Sequence, residues 1–109
     1  MALDVAALLK QALTASATEA GEQWTEIRST VTKELRILLK RTAEIAVARA
    51  SGKLDDEDAR MFFTMARNNS ISTVALATSL TAIATRKIID AGLNVVKQAI
   101  NTAAGFALV

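Results

Sequence analysis

The 109-residue chain contains no cysteine, histidine, proline or tyrosine. The absence of cysteine excludes disulfides, thiolate zinc sites and cysteine nucleophiles, and the absence of histidine excludes a Ser-His-Asp triad and imidazole metal ligands. The sequence also has no glycine-rich phosphate loop and no nucleophile elbow. We therefore predict a non-enzymatic protein with no catalytic residues, no cofactor and no metal site.

Charge is balanced along the chain, with 13 basic and 11 acidic side chains and a formal net charge of +2. Because no aromatic residue lies among the basic residues at positions 28–49, the pattern argues against nucleic acid as a partner. Asp4 and Lys10 make the amino-terminal stretch unlike a secretory signal peptide. The longest uncharged run, residues 68–85, is half Asn, Ser or Thr, which is not typical of a membrane-spanning helix. The sequence predicts no particular compartment.

Strong helix formers dominate the sequence, which has only four glycines. One stretch stops a helix clearly: Gly52 is placed as a helix C-cap, and Asp55 and the acids after it suit the start of another helix. The pattern predicts a single all-helical domain over residues 1–109, with one arm over about 2–51, a turn over about 52–54 and a second arm over about 55–106. Gly21 and Asn69 mark two places where the arms could kink.

Apolar residues recur three and four positions apart along both arms, as they do on one side of a helix. Two arms of nearly equal length with matching apolar stripes predict an all-α fold, in which a long antiparallel helical hairpin packs into a helical bundle. The residues expected in the hairpin core are Trp24, Ile27, Val31, Leu38, Ile45, Val74, Ile88 and Val95.

The second arm has another apolar face, rotated well away from the first stripe. A two-helix hairpin buries one stripe per helix and has no further layer to cover a second one. We therefore expect a homo-oligomer, formed through packing of this face against a neighbouring subunit. The expected interface residues are Ile71, Ile89, Leu93, Val96, Ile100 and Phe106. The alternative is a monomeric four-helix bundle that uses both faces internally.

These features favour a self-associating helical protein, acting as a structural subunit or as a module of a larger assembly. A second hypothesis is a membrane-active protein that inserts its apolar ends, residues 1–9 and 103–109, into a bilayer. A third is an adaptor that binds another protein through an apolar helical groove. Of the first two hypotheses, membrane contact is the less favoured.

Overall fold

The computed structural model describes residues 3–109, and within this range the chain is helical with no β-strand. The four α-helices are α1 (Val5–Ala20), α2 (Trp24–Ala50), α3 (Asp56–Ala77) and α4 (Ala82–Ala104). A short 3-10 turn, Gly21–Gln23, joins α1 to α2. The helices pack into a bundle. The predicted all-α class and helical bundle are confirmed.

Short polar side chains begin three of the helices. The carboxylate of Asp4 accepts a hydrogen bond from the backbone N–H of Ala7, and Asp55 accepts one from Asp58. The Thr81 hydroxyl oxygen does the same for Ala84 at the start of α4. Such caps satisfy backbone donors that lack a partner in the first turn of a helix. The turn expected around Gly52 lies between α2 and α3, as the glycine and the following acids predict.

The first arm reverses its direction at Gly21. This glycine has φ 60° and ψ −128°, a conformation that residues with a Cβ rarely adopt. Helix α1 therefore runs back along α2: Leu13 lies in a groove with Trp24, and Leu9 lies in another with Arg36. The longest dimension of the molecule is 42 Å, whereas a straight helix over residues 5–50 would measure about 69 Å. The kink expected at Gly21 is a chain reversal.

The second arm breaks later than expected. Helix α3 continues through Asn69, whose side chain is exposed, and ends at Ala77. The chain leaves the helix at Thr78, whose hydroxyl oxygen accepts a hydrogen bond from the Leu80 N–H, and Thr81 then caps α4. Helix α3 is thus continuous at Asn69, where a kink was possible, and the break lies at residues 78–81, where two threonines provide the local hydrogen bonds.

Successive helices run in opposite directions. Helix α1 contacts α2 and α4, α3 contacts α2 and α4, and α2 also contacts α4 across the centre of the bundle. Helices α1 and α3 make no contact within residues 3–109, so α3 lies on one side of the molecule. This arrangement corresponds to the compact four-helix alternative rather than to two continuous arms.

The second apolar face is buried inside the single chain. Because the reversal at Gly21 lays α1 over α4, the side chains expected at a subunit interface are covered by the chain itself, which corrects that expectation. The covered residues are Ile71, Ile89, Leu93, Val96 and Ile100. Phe106 is half-buried, and its ring lies against the guanidinium groups of Arg49 and Arg60, about 5 Å from each.

Most residues expected in the hairpin core lie in the core or against it. Ile27, Val31, Leu38, Val74 and Ile88 are buried, and Trp24 and Ile45 are partly buried against the core. Val95 is a correction, because it is 51% exposed. On α4 the buried side is formed by Gly92, Leu93 and Val96, and Val95 projects about 100° away from Val96 around the helix axis.

Candidate functional site: an uncharged face on helix α3

Residues 3–109 contain no group of three or more acidic side chains placed to hold a metal ion. None of the helices in this range is both long and apolar enough to cross a bilayer. Among the same residues, every buried side-chain nitrogen and oxygen has a hydrogen-bond partner. The described chain therefore offers no unpartnered buried polar group aimed at a ligand.

The most unusual surface feature is a strip along the outer side of α3, which we call the α3 face. Its members are Met61, Met65, Asn68, Asn69, Ser72 and Leu76, and all six are exposed. The spacing of three and four residues places them on one side of the helix. Leu76 is 88% exposed and Met65 is 55% exposed, so large apolar side chains project into solvent here.

The α3 face lies opposite the side of the helix that packs into the bundle. The buried side is formed by Ala59, Phe63, Ala66, Ser70 and Val74. Since α3 contacts only α2 and α4, its outer side has no covering helix within the described chain. Helix α3 is thus apolar both toward the core and, at Met61, Met65 and Leu76, toward solvent.

The α3 face also lacks charge. Residues 61–85 contain one charged side chain, Arg67. Its Nε donates to Oδ1 of Asp90 at 2.8 Å, and its Nη2 donates to Oδ2 at 2.6 Å, which ties α3 to α4. This hydrogen bonding, assisted by the carboxylate charge, raises the pKa of Arg67 even though burial acts in the opposite direction. The one cation of the segment is therefore paired inside the chain and does not serve the α3 face.

A groove of about 330 Å³ runs beside the α3 face, between α2 and α3. Its walls include Ile45 and Leu54 on one side and Phe62 and Met65 on the other. Phe62 is exposed although it is aromatic, and it extends the apolar surface from Met61 and Met65 toward α2. Arg41 and Glu44 also line the groove. The groove offers space for an apolar side chain next to the α3 face.

Charged residues surround the α3 face. At the amino-terminal end, residues 55–58 are all acidic, and Asp56 pairs with Arg49 of α2. The next charged residues along the chain after Arg67 are Arg86 and Lys87, both exposed on α4. Because Asp90 of α4 pairs with Arg67, these two residues lie beside the carboxyl-terminal half of α3 and not beyond its end. Lys53 and Arg60 lie close to the acids at residues 55–58 in the sequence, so charges of both signs border the strip.

None of the predicted interface residues belongs to the α3 face. Sequence reasoning missed Met61, Met65 and Leu76 because an apolar residue in a helix reads equally as core or as exposed surface. The sequence signal that points to them is the scarcity of charge between Met61 and Thr85, a stretch that contains a single charged side chain.

Comparison of the chain with models of known protein families, with curated proteins and with solved structures finds no match. The most distinctive element of the chain is the α3 face.

Proposed function

We propose that this chain is a non-enzymatic helical protein that acts by reversible self-association, and that the α3 face is the contact surface. The observation that carries the proposal is the coincidence of exposed Met61, Met65 and Leu76 with the lack of charge on that face. The central parts of protein interfaces are depleted in charged residues and enriched in methionine and aromatic residues. Phe62, at the edge of the face, adds the aromatic side chain.

The energetics favour a reversible contact. Full burial of a large apolar side chain contributes about 1.5–3 kcal/mol, and Met61, Phe62 and Met65 are already about half shielded, so each of these three contributes less. Association also costs translational and rotational freedom. Because the chain has its own core, we expect the monomer to fold without a partner. We therefore expect an equilibrium between monomer and dimer that depends on concentration.

The apolar ends on which the membrane hypothesis depends are largely covered in this fold. It required apolar ends free to insert, whereas Leu8, Leu9 and Leu108 are buried in the bundle core. Leu108 and Val109 are also held against the body of the protein, since the Val109 N–H donates to the Asn101 side chain at 2.8 Å. The described ends therefore support the bundle rather than a tip that enters lipid.

The groove between α2 and α3 supports the adaptor hypothesis. A helix from a different protein could place an apolar side chain between Leu54 and Met65. This reading predicts that the purified chain stays monomeric at every concentration. The mass of the protein in solution therefore separates the two functions.

Sedimentation velocity from dilute to concentrated solution tests the proposal. We expect the wild-type mass to rise from the 11.6 kDa of one chain toward twice that value. Met65→Glu places a charge in the centre of the face and should keep the protein monomeric. Gln98→Glu, at an exposed position of α4, adds the same charge elsewhere and should behave like the wild type. Circular dichroism checks that both variants remain helical.

Two outcomes overturn the proposal. One is a wild-type protein that remains at the mass of one chain throughout the concentration range, which would favour the adaptor hypothesis. The other is a Met65→Glu variant that associates as strongly as the Gln98→Glu control, which would mean that association uses a different surface.

A further inference from the structure

We infer that the seam between α1 and α2 is a binding site for a free alkyl carboxylate, which is a single hydrocarbon tail with one carboxylate head. This site is separate from the α3 face, since α1 and α3 make no contact within residues 3–109. It therefore goes beyond the proposed self-association. Three features of the seam point to this ligand: a continuous apolar groove, cations on both of its walls, and walls free of acidic side chains among the described residues.

Two hollows lie end to end along this seam, and we call them together the α1–α2 groove. One, of about 410 Å³, is lined by Val5, Leu9 and Leu13. The other, of about 300 Å³, is lined by Leu13, Ala17 and Trp24. Because Leu13 lines both hollows, the apolar surface is continuous from Val5 to Ala17, about 18 Å along α1. Ligand sites in proteins are concave and mostly apolar, with volumes in this range.

Cations border this groove on both walls. Lys10 of α1 and Arg36 of α2 line the larger hollow, and Arg28 lines the smaller one. All three residues are exposed. The two ion pairs within residues 3–109 involve other residues, so these three cations have no carboxylate partner there.

The two helices carry an excess of positive charge along the groove. Between Val5 and Ala17 the one charged residue is Lys10, and between Ile27 and Ala43 five basic residues accompany one acid, Glu34. Glu34 is 9% exposed and lies about 160° from Arg36 around the axis of α2, so it is turned away from the groove. A concave surface lined by charges of one sign concentrates ions of the opposite sign. The α1–α2 groove is therefore suited to an anion.

The acids that flank the groove in the sequence lie outside its walls. Asp4 lines a different hollow, between α1 and α4, and accepts a hydrogen bond from the Ala7 N–H. Glu26 is two residues from Arg28 and therefore lies about 160° from it around α2. Neither these acids nor Glu19 and Glu22 line the two hollows of the groove.

An alkyl carboxylate matches this combination better than a peptide does. Both walls are helices whose backbone groups are already paired, so an extended peptide in the groove would leave its own backbone N–H and C=O groups without partners. An alkyl tail has no such groups. The Arg36 guanidinium can donate two parallel hydrogen bonds to a carboxylate, and Lys10 adds a second positive charge from the facing helix. From this head position the longer stretch of the groove runs past Leu13 to Trp24.

Titration of the full chain with dodecanoate below its micelle concentration tests the site. Trp24 is the one tryptophan of the chain, and it is half-buried in the groove. We expect one dodecanoate per chain and a blue shift of the Trp24 emission, because the tail displaces water from the indole. Affinity should rise from octanoate to dodecanoate by up to about fourfold per methylene. Dodecyltrimethylammonium, with the same tail and a positive head, should bind about tenfold more weakly because like charges repel.

Removal of the two cations tests the head of the ligand. The double variant Lys10→Gln with Arg36→Gln should bind dodecanoate about fourfold to twentyfold more weakly, because each solvent-exposed ion pair contributes about twofold to fivefold. The control is Lys87→Gln with Lys97→Gln, which removes the same charge from exposed positions of α4 and should bind like the wild type. Met65→Glu, on the α3 face, should also bind dodecanoate like the wild type. Failure of self-association is thereby distinguished from failure of this site.

A carboxylate in the path of the tail provides a second test. Thr14 is exposed and lines the smaller hollow, whereas Thr18, one turn further along α1, is exposed and lines neither hollow. The two threonines make the same hydrogen bond to the carbonyl oxygen four residues earlier. We expect Thr14→Glu to weaken dodecanoate binding about tenfold, because the new charge would be covered by hydrocarbon and would neutralise Lys10. Thr18→Glu is the matched control and should bind like the wild type.

Three outcomes of these titrations overturn the inference. The first is the absence of saturable dodecanoate binding below the micelle concentration. The second is equally tight binding of dodecyltrimethylammonium, which would mean that the cations only cover apolar surface with their aliphatic stems. The third is that the double variant and Thr14→Glu, both helical by circular dichroism, bind as tightly as their controls, which would place the ligand elsewhere.

Vesicles of phosphatidylglycerol test a membrane as the other source of anionic alkyl chains. We expect the chain to stay free of the vesicles in a flotation experiment, because the groove has room for one tail and a tail in a bilayer is already sheltered from water. Flotation that the wild type and the Lys87→Gln with Lys97→Gln control show, and that the Lys10→Gln with Arg36→Gln variant loses, would make the groove a membrane contact and overturn the assignment to a free ligand.

Discussion

The hydroxyl of Ser16 donates a 2.8 Å hydrogen bond to the backbone carbonyl oxygen of Ile88, 72 residues further along the chain. This bond joins α1 to α4 inside the core, where Ser16 is fully buried. Gly92 lies next to it, and a Cβ added there would be 2.8 Å from the Ser16 Oγ and 3.2 Å from the Ala12 carbonyl oxygen. The close approach of the two helices therefore depends on small side chains on both of them.

Gly92→Ala tests this close approach. Alanine favours helices over glycine by about 1 kcal/mol, yet we expect the variant to lose about 1–3 kcal/mol of unfolding free energy because the new methyl group overlaps Ser16. The measurement is urea unfolding at a protein concentration where the chain is monomeric. In the Ser16→Ala background the cost of Gly92→Ala should fall, because the overlapping oxygen is gone. Equal costs in the two backgrounds would contradict the contact.

Leu108→Ala tests whether the carboxyl-terminal end supports the bundle. Leu108 is 4% exposed, so we expect a loss of about 2–5 kcal/mol in unfolding free energy. Leu76→Ala is the matched control, because the same substitution at an exposed residue of α3 should change the unfolding of the monomer by no more than about 0.5 kcal/mol. The control should nevertheless weaken dimerisation. A Leu108→Ala protein as stable as the control would show that the end of the chain contributes nothing to the core.

Replacing Ile89 and Leu93 together by glutamate distinguishes the bundle from an exposed interface. Both side chains are buried in the single chain, so two carboxylates would be placed in the core without partners. We expect loss of helical circular dichroism rather than a folded monomer. A helical, soluble monomer carrying both substitutions would mean that these residues belong to a subunit interface after all.

The all-α class and the turn at Gly52 could be predicted because their signals are local. These signals are the helix propensity of the residues, the glycine in the turn and the N-cap residue Asp55, and each acts within a few residues. The structure contains both the turn and the Asp55 cap. The division of the arms was harder to predict. The apolar stripe keeps its phase across Gly21, and phase reports which side of a helix is buried but not which helix buries it. The contact of Ser16 with Ile88 therefore leaves no pattern in the sequence.

The α3 face could not be separated from the core by periodicity, since Met61 and Met65 look like core residues in a helix that is apolar on two sides. Exposure depends on the three-dimensional neighbours of α3, and these follow from where the chain reverses. The break at residues 78–81 had a local signal in Thr78 and Thr81. The exposed pair Asn68 and Asn69 is a weak signal for a helix break, because an asparagine on the solvent side of a helix costs little helix stability.

The reversal at Gly21 makes the placement of α1 depend on one residue. A bulkier residue there would be strained at positive φ and would favour a straight run from α1 into α2. Helix α1 would then leave its own α4 uncovered and could reach the α4 of a neighbouring molecule instead. Exchange of identical elements between protomers follows readily from changes in such hinges. Gly21 therefore favours the closed bundle over an intertwined dimer, in which α1 of each molecule would pack on α4 of the other.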